Sequence, residues 1–256
     1  MKRNLLALLI VTLFTISCSQ MPKNNTASET ALPIVENPSE FIHQLYLDKS
    51  GHGLENTDVS TLEKMNYAQK NVIYGEITYN GAITLFEKLN IKGNDVFYDI
   101  GSGVGKLVLQ AYLTTPAKKS VGIELVGSRA KKAETVYQQL MNQGILSKAG
   151  NKELKYVEAD VITSDLSDAT TIFWANLTWE EGVIDKVVQK LSSSVKHPLL
   201  IVSHKSLDNY PNMKLKEAFT VECTWTSRSN VYLYEMEYPV SSKNTAINTS
   251  TATDNI

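Results

Sequence analysis

Cysteine is close to absent from this chain, with Cys18 and Cys223 its only two examples. That excludes a cysteine-rich zinc site and a disulfide framework. Histidine is scarce as well: His43, His52, His197 and His204 show no ligand spacing such as His-Glu-x-x-His, so no metal is assigned. A basic excess is also missing. With 25 Lys and Arg against 27 Asp and Glu, the formal charge of -2 offers nucleic acid no global attraction, and no strong nucleic-acid binding is expected. A basic protein partner remains open. No Gly-Lys-Ser or Gly-Lys-Thr occurs, which removes the Walker phosphate loop, and no internal repeat is visible.

What is present begins with "MKRNLLALLIVTLFTISC": a basic start at Lys2 and Arg3, an apolar run from Leu5 to Leu13 too short to span a bilayer comfortably, and small residues before Cys18. Residues 1–18 resemble a bacterial lipoprotein signal, with Cys18 the lipidated position. That predicts an envelope protein anchored to the membrane through lipid alone. Translation from Met21 would instead leave a cytoplasmic protein, and delivery into a host cell is a third route. Residues 19–39 and 241–256 are polar and read as a flexible tether and tail, because neither buries enough apolar surface to offset the entropy of ordering it.

Between them, residues 40–240 are long enough for one sizeable α/β domain. Strand and helix patterns alternate there, as in a parallel sheet covered by helices. Asn80 is expected to cap a helix with Ala82, Ile83, Leu85, Phe86 and Leu89 on one face. "DVFYDI", "SVGIEL", "LKYVEA", "TIFWAN" and "PLLIVS" read as strands. Ser128 to Asn142 reads as a helix with Met141 on its apolar face. "FTVECTWTSRSNVYLYEMEY" reads as an antiparallel hairpin turning through Ser227-Arg228-Ser229-Asn230.

Open α/β sheets bind ligands at the carboxyl ends of their strands. Those ends hold Gly101, Gly103 and Gly105, then Glu124, Asp160 and Asn176. Glu124 stands 19 residues beyond Gly105, the place for a carboxylate that accepts from both hydroxyls of an adenosine ribose. A dinucleotide and S-adenosylmethionine both carry that ribose. The spacing Gly-x-Gly-x-Gly directly after Asp99-Ile100 favours the latter, since Asp99 would repel a pyrophosphate and suits a cationic amino group.

The segments "VIYGEITYNGAITLFEKL", "DVFYDIGSGVGKLVLQAYL", "VGIEL", "IFWANLTW", "IVSHKSL" and "TWTSRSNVYLY" stand in the order of motifs in the disruptor-of-telomeric-silencing family of histone lysine methyltransferases. The chain is similar to that family over roughly residues 70 to 235, and with the lipoprotein-like start it resembles a bacterial member. The resemblance implies a class I methyltransferase fold, Rossmann-like, with a seven-stranded, mostly parallel sheet ending in an antiparallel hairpin.

The resemblance also implies S-adenosylmethionine as cofactor and a protein substrate with an accessible lysine, without setting an oligomeric state. Asp99, Gly101 and Gly103 would border the methionine part together with Gly105 on the same loop. Glu124 would hold the ribose, Asp160 would meet the adenine, and Tyr74, Gly75 and Glu76 would close over the methionine end. Asn176, which would also touch the cofactor and orient the reactants, and Trp179, Trp225 and Tyr232 match positions lining a lysine channel. Asn176, Trp225 and Tyr232 are thereby the expected catalytic group. Ile77 and Lys106 depart from residues common in the family, and Lys106 and Lys205 read as exposed charges. Two other classes stay open: a methyltransferase of the same fold acting on a non-histone protein or small molecule, and a cofactor-binding lipoprotein without catalysis.

Overall fold

The computed structural model describes residues 35–148 and 150–237. The signal segment with Cys18, the tether up to residue 34 and the polar tail lie outside the described residues; Pro38 and Ser39 belong to the first helix.

Seven strands make one sheet: β1 (Val96–Ile100), β2 (Lys119–Glu124), β3 (Glu153–Glu158), β4 (Thr171–Trp174), β5 (Leu199–Ser203), β6 (Met213–Cys223) and β7 (Thr226–Met236). Their order across the sheet is β3-β2-β1-β4-β5-β7-β6. The first five run parallel, and β7 runs antiparallel to both β5 and β6. Strand order therefore reverses between β1 and β4, and the crevice above their carboxyl ends is where such a sheet takes a ligand.

The helices are α1 (Pro38–Tyr46), α2 (Asn56–Lys64), α3 (Tyr79–Leu89), α4 (Lys106–Thr114), α5 (Gly127–Asn142), α6 (Ile145–Lys148) and α7 (Glu181–Ser194), with a 3-10 turn at Gln69–Val72. Alternation along β1 sends Val96, Tyr98 and Ile100 to a layer with Ile184, Val187 and Leu191 of α7. Phe97 points the other way, onto Leu85 and Leu89 of α3 and Ala111 of α4. A third layer joins α1, α4 and α5 through Leu45, Leu109 and Val136. Because both faces are covered, β1 and β4 are buried along their whole length. Each fully buried Leu, Ile or Phe contributes about 1.5–3 kcal/mol relative to exposure.

Three local expectations need correction. Thr78, not Asn80, caps α3: its hydroxyl accepts from the Gly81 amide at 3.1 Å. The helix starts earlier because residues 76–78 are held as an extension of the hairpin, with Thr78 N donating to Glu222 O. Ile83 and Met141 are 41% and 52% exposed, each at the margin of its helix's apolar stripe. The hairpin turns at Thr224 and Trp225 rather than through Ser227 to Asn230, since Cys223 pairs with Thr226. Val221 and Cys223 must share the inner face with Val231 and Leu233, and a turn at Ser227 would end the strands before that face is complete. Among the described residues no helix is long and apolar enough to cross a membrane.

Candidate active site

The turn from β1 into α4 carries the glycines. Gly101 and Gly103 take φ of +77° and +57°, a region that side chains disfavour. A β-carbon on Gly103 would also lie 2.6 Å from the Tyr74 ring. The amides of Gly101 and Ser102 both donate to Ile123 O, at 2.9 and 3.0 Å, locking the turn to the end of β2. Gly105 serves the packing instead: it caps α4, and its carbonyl accepts from the Tyr156 hydroxyl at 3.1 Å.

Three carboxylates follow one another across the strand tips. Glu124 ends β2, buried, with one oxygen accepting from Gly103 N at 2.7 Å and the other from Val126 N at 2.8 Å. Each oxygen keeps a further lone pair for a ligand hydroxyl. Asp160, beyond β3, accepts from the Tyr67 hydroxyl at 2.8 Å and from Ile162 N at 2.9 Å. Asp99 in β1 is 5% exposed, and no hydrogen bond to its carboxylate is made among the described residues. Burial, reinforced by the nearby Glu124 carboxylate, pushes the Asp99 carboxyl up to about 8. Burial also raises Glu124, against the two amides that stabilise its charge.

These groups border one elongated groove with two lobes. Glu124, Asp160 and Trp179 line the larger lobe, and Asp99, Gly103 and Lys106 line the smaller. Tyr74, Gly75, Gly101 and Ala175 belong to both. A strap of residues 67–76 roofs the larger lobe. Tyr67 ties it to Asp160, and Asn71 ties it to the start of α7, donating to Glu180 Oε2 at 3.1 Å while accepting from Glu180 N at 2.7 Å. Lys70 adds an ion pair to Glu180 at 2.9 Å. At the other end Glu76 accepts from Tyr74 and pairs with Lys106 at 2.8 Å.

Asn176 lies just past β4, wholly buried. Its Oδ1 accepts from Lys205 N at 2.8 Å, and its Nδ2 has no partner. A buried donor left free is costly unless a ligand satisfies it. Trp179 packs edge-on against Trp174 with centroids 5.3 Å apart. Trp225 sits at the hairpin turn, 44% exposed, against Gly75 and beside the His204 ring. Tyr232 is half-buried on β7 opposite Ser203, on the same core layer as Trp179. The structure thus gathers Tyr74, Gly75, Glu76, Asp99, Gly101, Gly103, Glu124, Asp160 and Trp179 on one groove. Asn176, Trp225, Gly105 and Tyr232 line neither lobe: Asn176 follows the lining residue Ala175 in the chain, and Trp225 packs against the lining residue Gly75.

Lys106 and Lys205 are not simply exposed charges. Lys106 pairs with Glu76 and lies over the Tyr46 ring; the Lys205 ammonium donates to Trp179 O at 2.6 Å and to Glu181. Sequence reasoning also missed Tyr67, Asn71 and Glu180, which form no local pattern. His204 is buried among Phe173, Cys223 and Trp225, and burial lowers it to about 4, so it stays neutral. Among the described residues no cluster of His, Cys, Asp or Glu could hold a metal ion.

A central reversal of strand order, an antiparallel last hairpin and acids at successive strand tips define a class I methyltransferase fold. The particular family is shown by sequence: residues 56–241 match the family described as histone methylation protein DOT1, and the chain belongs to it. It is 27% identical over 179 residues to the histone-lysine N-methyltransferase, H3 lysine-79 specific, of Kluyveromyces lactis, covering 62% of this chain and 31% of that protein. The Caenorhabditis elegans protein of the same description is 30% identical over 141 residues, 52% of this chain and 15% of the relative. A protein-lysine N-methyltransferase of Saccharolobus islandicus is 26% identical over 150 residues, 59% of this chain and 84% of its own length. The chain thus spans under a third of the H3 lysine-79 relatives named here. Among solved structures, an RNA methyltransferase from Salinibacter ruber with S-adenosyl-L-homocysteine aligns at a TM-score of 0.46 and 21% identity, over 63% of this chain and 94% of that one.

Proposed function

We propose that the protein is an S-adenosylmethionine-dependent protein-lysine N-methyltransferase. The observation that carries this is the row Asp160, Glu124, Asp99 along one groove, ending on a carboxyl with no protein partner. The chemistry of that row fits the cofactor. Asp160 suits the adenine edge, the free lone pairs of Glu124 suit a ribose diol, and Asp99 suits an ammonium group.

Bound there, S-adenosylmethionine supplies a methyl group on a sulfonium. The chain's part is to present a neutral amine in line with it. A free lysine, with a pKa near 10.4, is almost fully protonated at neutral pH. Desolvation of the amine against the Trp179 face of the groove penalises the charged form and lowers that value, so no dedicated base is required. Aromatic faces also tolerate the methylated cation. The unpartnered Nδ2 of Asn176 is a donor fixed by the Lys205 amide, suited to orienting a reactant rather than taking a proton. Catalysis then rests on positioning and desolvation.

The test is incubation of the full chain with radiolabelled S-adenosylmethionine and, in separate reactions, core histones, nucleosomes and bacterial lysate. Label recovered as methyl-lysine from a protein band is the expected result, and the band identifies the substrate. Label confined to small molecules, or none in any reaction, overturns the proposal.

A further inference from the structure

Arg129 occupies the first turn of α5, where an amphipathic helix would ordinarily turn a cation to water, yet it is 5% exposed. Its Nε donates to Gly51 O at 2.9 Å and its Nη2 to Val72 O at 2.9 Å. Its guanidinium lies 4.9 Å from the centroid of the Tyr74 ring. One planar cation therefore joins the loop before α2, the strap and the aromatic residue that borders both lobes of the groove. The Glu124 and Asp58 carboxylates supply the negative field that offsets its burial.

Tyr74 has little choice of place. A β-carbon on Gly51 would fall 2.0 Å from its ring, and one on Gly103 2.6 Å, so two glycines hold it between them. The His52 ring meets it edge-on at 5.1 Å. Gly51 and His52 precede residues 56–241, the stretch matched to the family. That loop is nonetheless built against the wall of the groove.

We propose that Arg129, which itself lines the larger lobe, is a positioning residue for cofactor binding, holding the strap over the groove through Val72 and Tyr74 with the Gly51 loop as its second anchor. The inference rests on the reading that this groove takes S-adenosylmethionine. The geometry asks for arginine specifically. Two carbonyls in separate segments and a ring face require a flat fork of donors, and a lysine ammonium keeps the charge without the plane.

The experiment uses the full chain, with S-adenosylhomocysteine as the calorimetric probe and labelled S-adenosylmethionine for kinetics. Arg129→Lys is expected to raise Kd for the probe and KM for the cofactor by about tenfold, roughly the loss of one charge-assisted hydrogen bond, with kcat within about threefold. Gly51→Val, which keeps the cation but drives a side chain into Tyr74, is expected to give the same split between KM and kcat, and serves if Arg129→Lys does not fold. Wild-type affinity in either folded variant overturns the inference alone. Failure of the wild-type protein to bind the probe overturns the cofactor reading and this inference with it.

Discussion

The backbone of Gly75 lies close against the indole of Trp225: a β-carbon at position 75 would fall 2.5 Å from the ring. Around this contact Glu76 N donates to the Thr224 hydroxyl at 3.1 Å and Thr224 N to Glu76 O at 2.8 Å. The loop bordering the groove and the hairpin turn are therefore one hydrogen-bonded unit.

Gly75→Ala should separate them. The added methyl must displace either the indole or the loop, and a misplacement of about 1 Å near reacting groups costs on the order of 100-fold. Turnover is expected to drop by roughly 10- to 100-fold while the melting temperature moves little, the site being at the surface. Steady-state kinetics beside a thermal melt would reveal it; unchanged turnover would mean that Trp225 takes no part.

Asp99 should make cofactor binding depend on pH. Its carboxyl holds a proton up to about 8 in the folded chain, above the ordinary carboxylate range. The stability it contributes is complete below that ordinary range and is lost as pH rises toward 8. An ammonium group binds the ionised form, so affinity for S-adenosylmethionine should strengthen as pH rises toward about 8, with release of a proton. Asp99→Asn should lose the pH dependence specific to this group. Calorimetry in buffers of different ionisation heat counts the proton, and an identical profile in the variant refutes the assignment.

Glu124→Ala should weaken cofactor binding by about 1–3 kcal/mol, the cost of leaving buried polar groups unpaired. It should also lower the melting temperature of the free protein, because Gly103 N and Val126 N lose their acceptor. Unchanged affinity with lowered stability would reduce Glu124 to a brace for the glycine turn.

Asn176→Ala removes the acceptor of Lys205 N and should cost about 1–3 kcal/mol of stability. Turnover should fall while KM for the cofactor stays within about threefold. A chemical denaturation curve and initial rates on the same preparation test both parts. Full activity would take Asn176 away from the reacting centre.

Strand β1, its glycine turn and the acids at the ends of β2 and β3 were legible because each is a local signal: apolar runs, backbone-permissive residues, a carboxylate at a set distance. The hairpin turn was misplaced because Thr224 and Trp225 carry no turn signature, whereas Ser227 to Asn230 do; register there answers to the inner apolar face. The clamps on the strap were invisible for a different reason. Tyr67 and Asp160 stand 93 residues apart and Asn71 and Glu180 109, so no local pattern links them.

The amino-acid order alone determined the alternating α/β layout and which polar residue each strand delivers to the sheet's edge, since periodicity and glycine's freedom are properties of neighbouring residues. Tertiary structure alone decided that Asp99 holds its proton near neutrality, that Arg129 is buried and that Tyr74 has a single place. Solvent exclusion and contacts between distant segments set those outcomes, and both arise only once the chain has closed on itself.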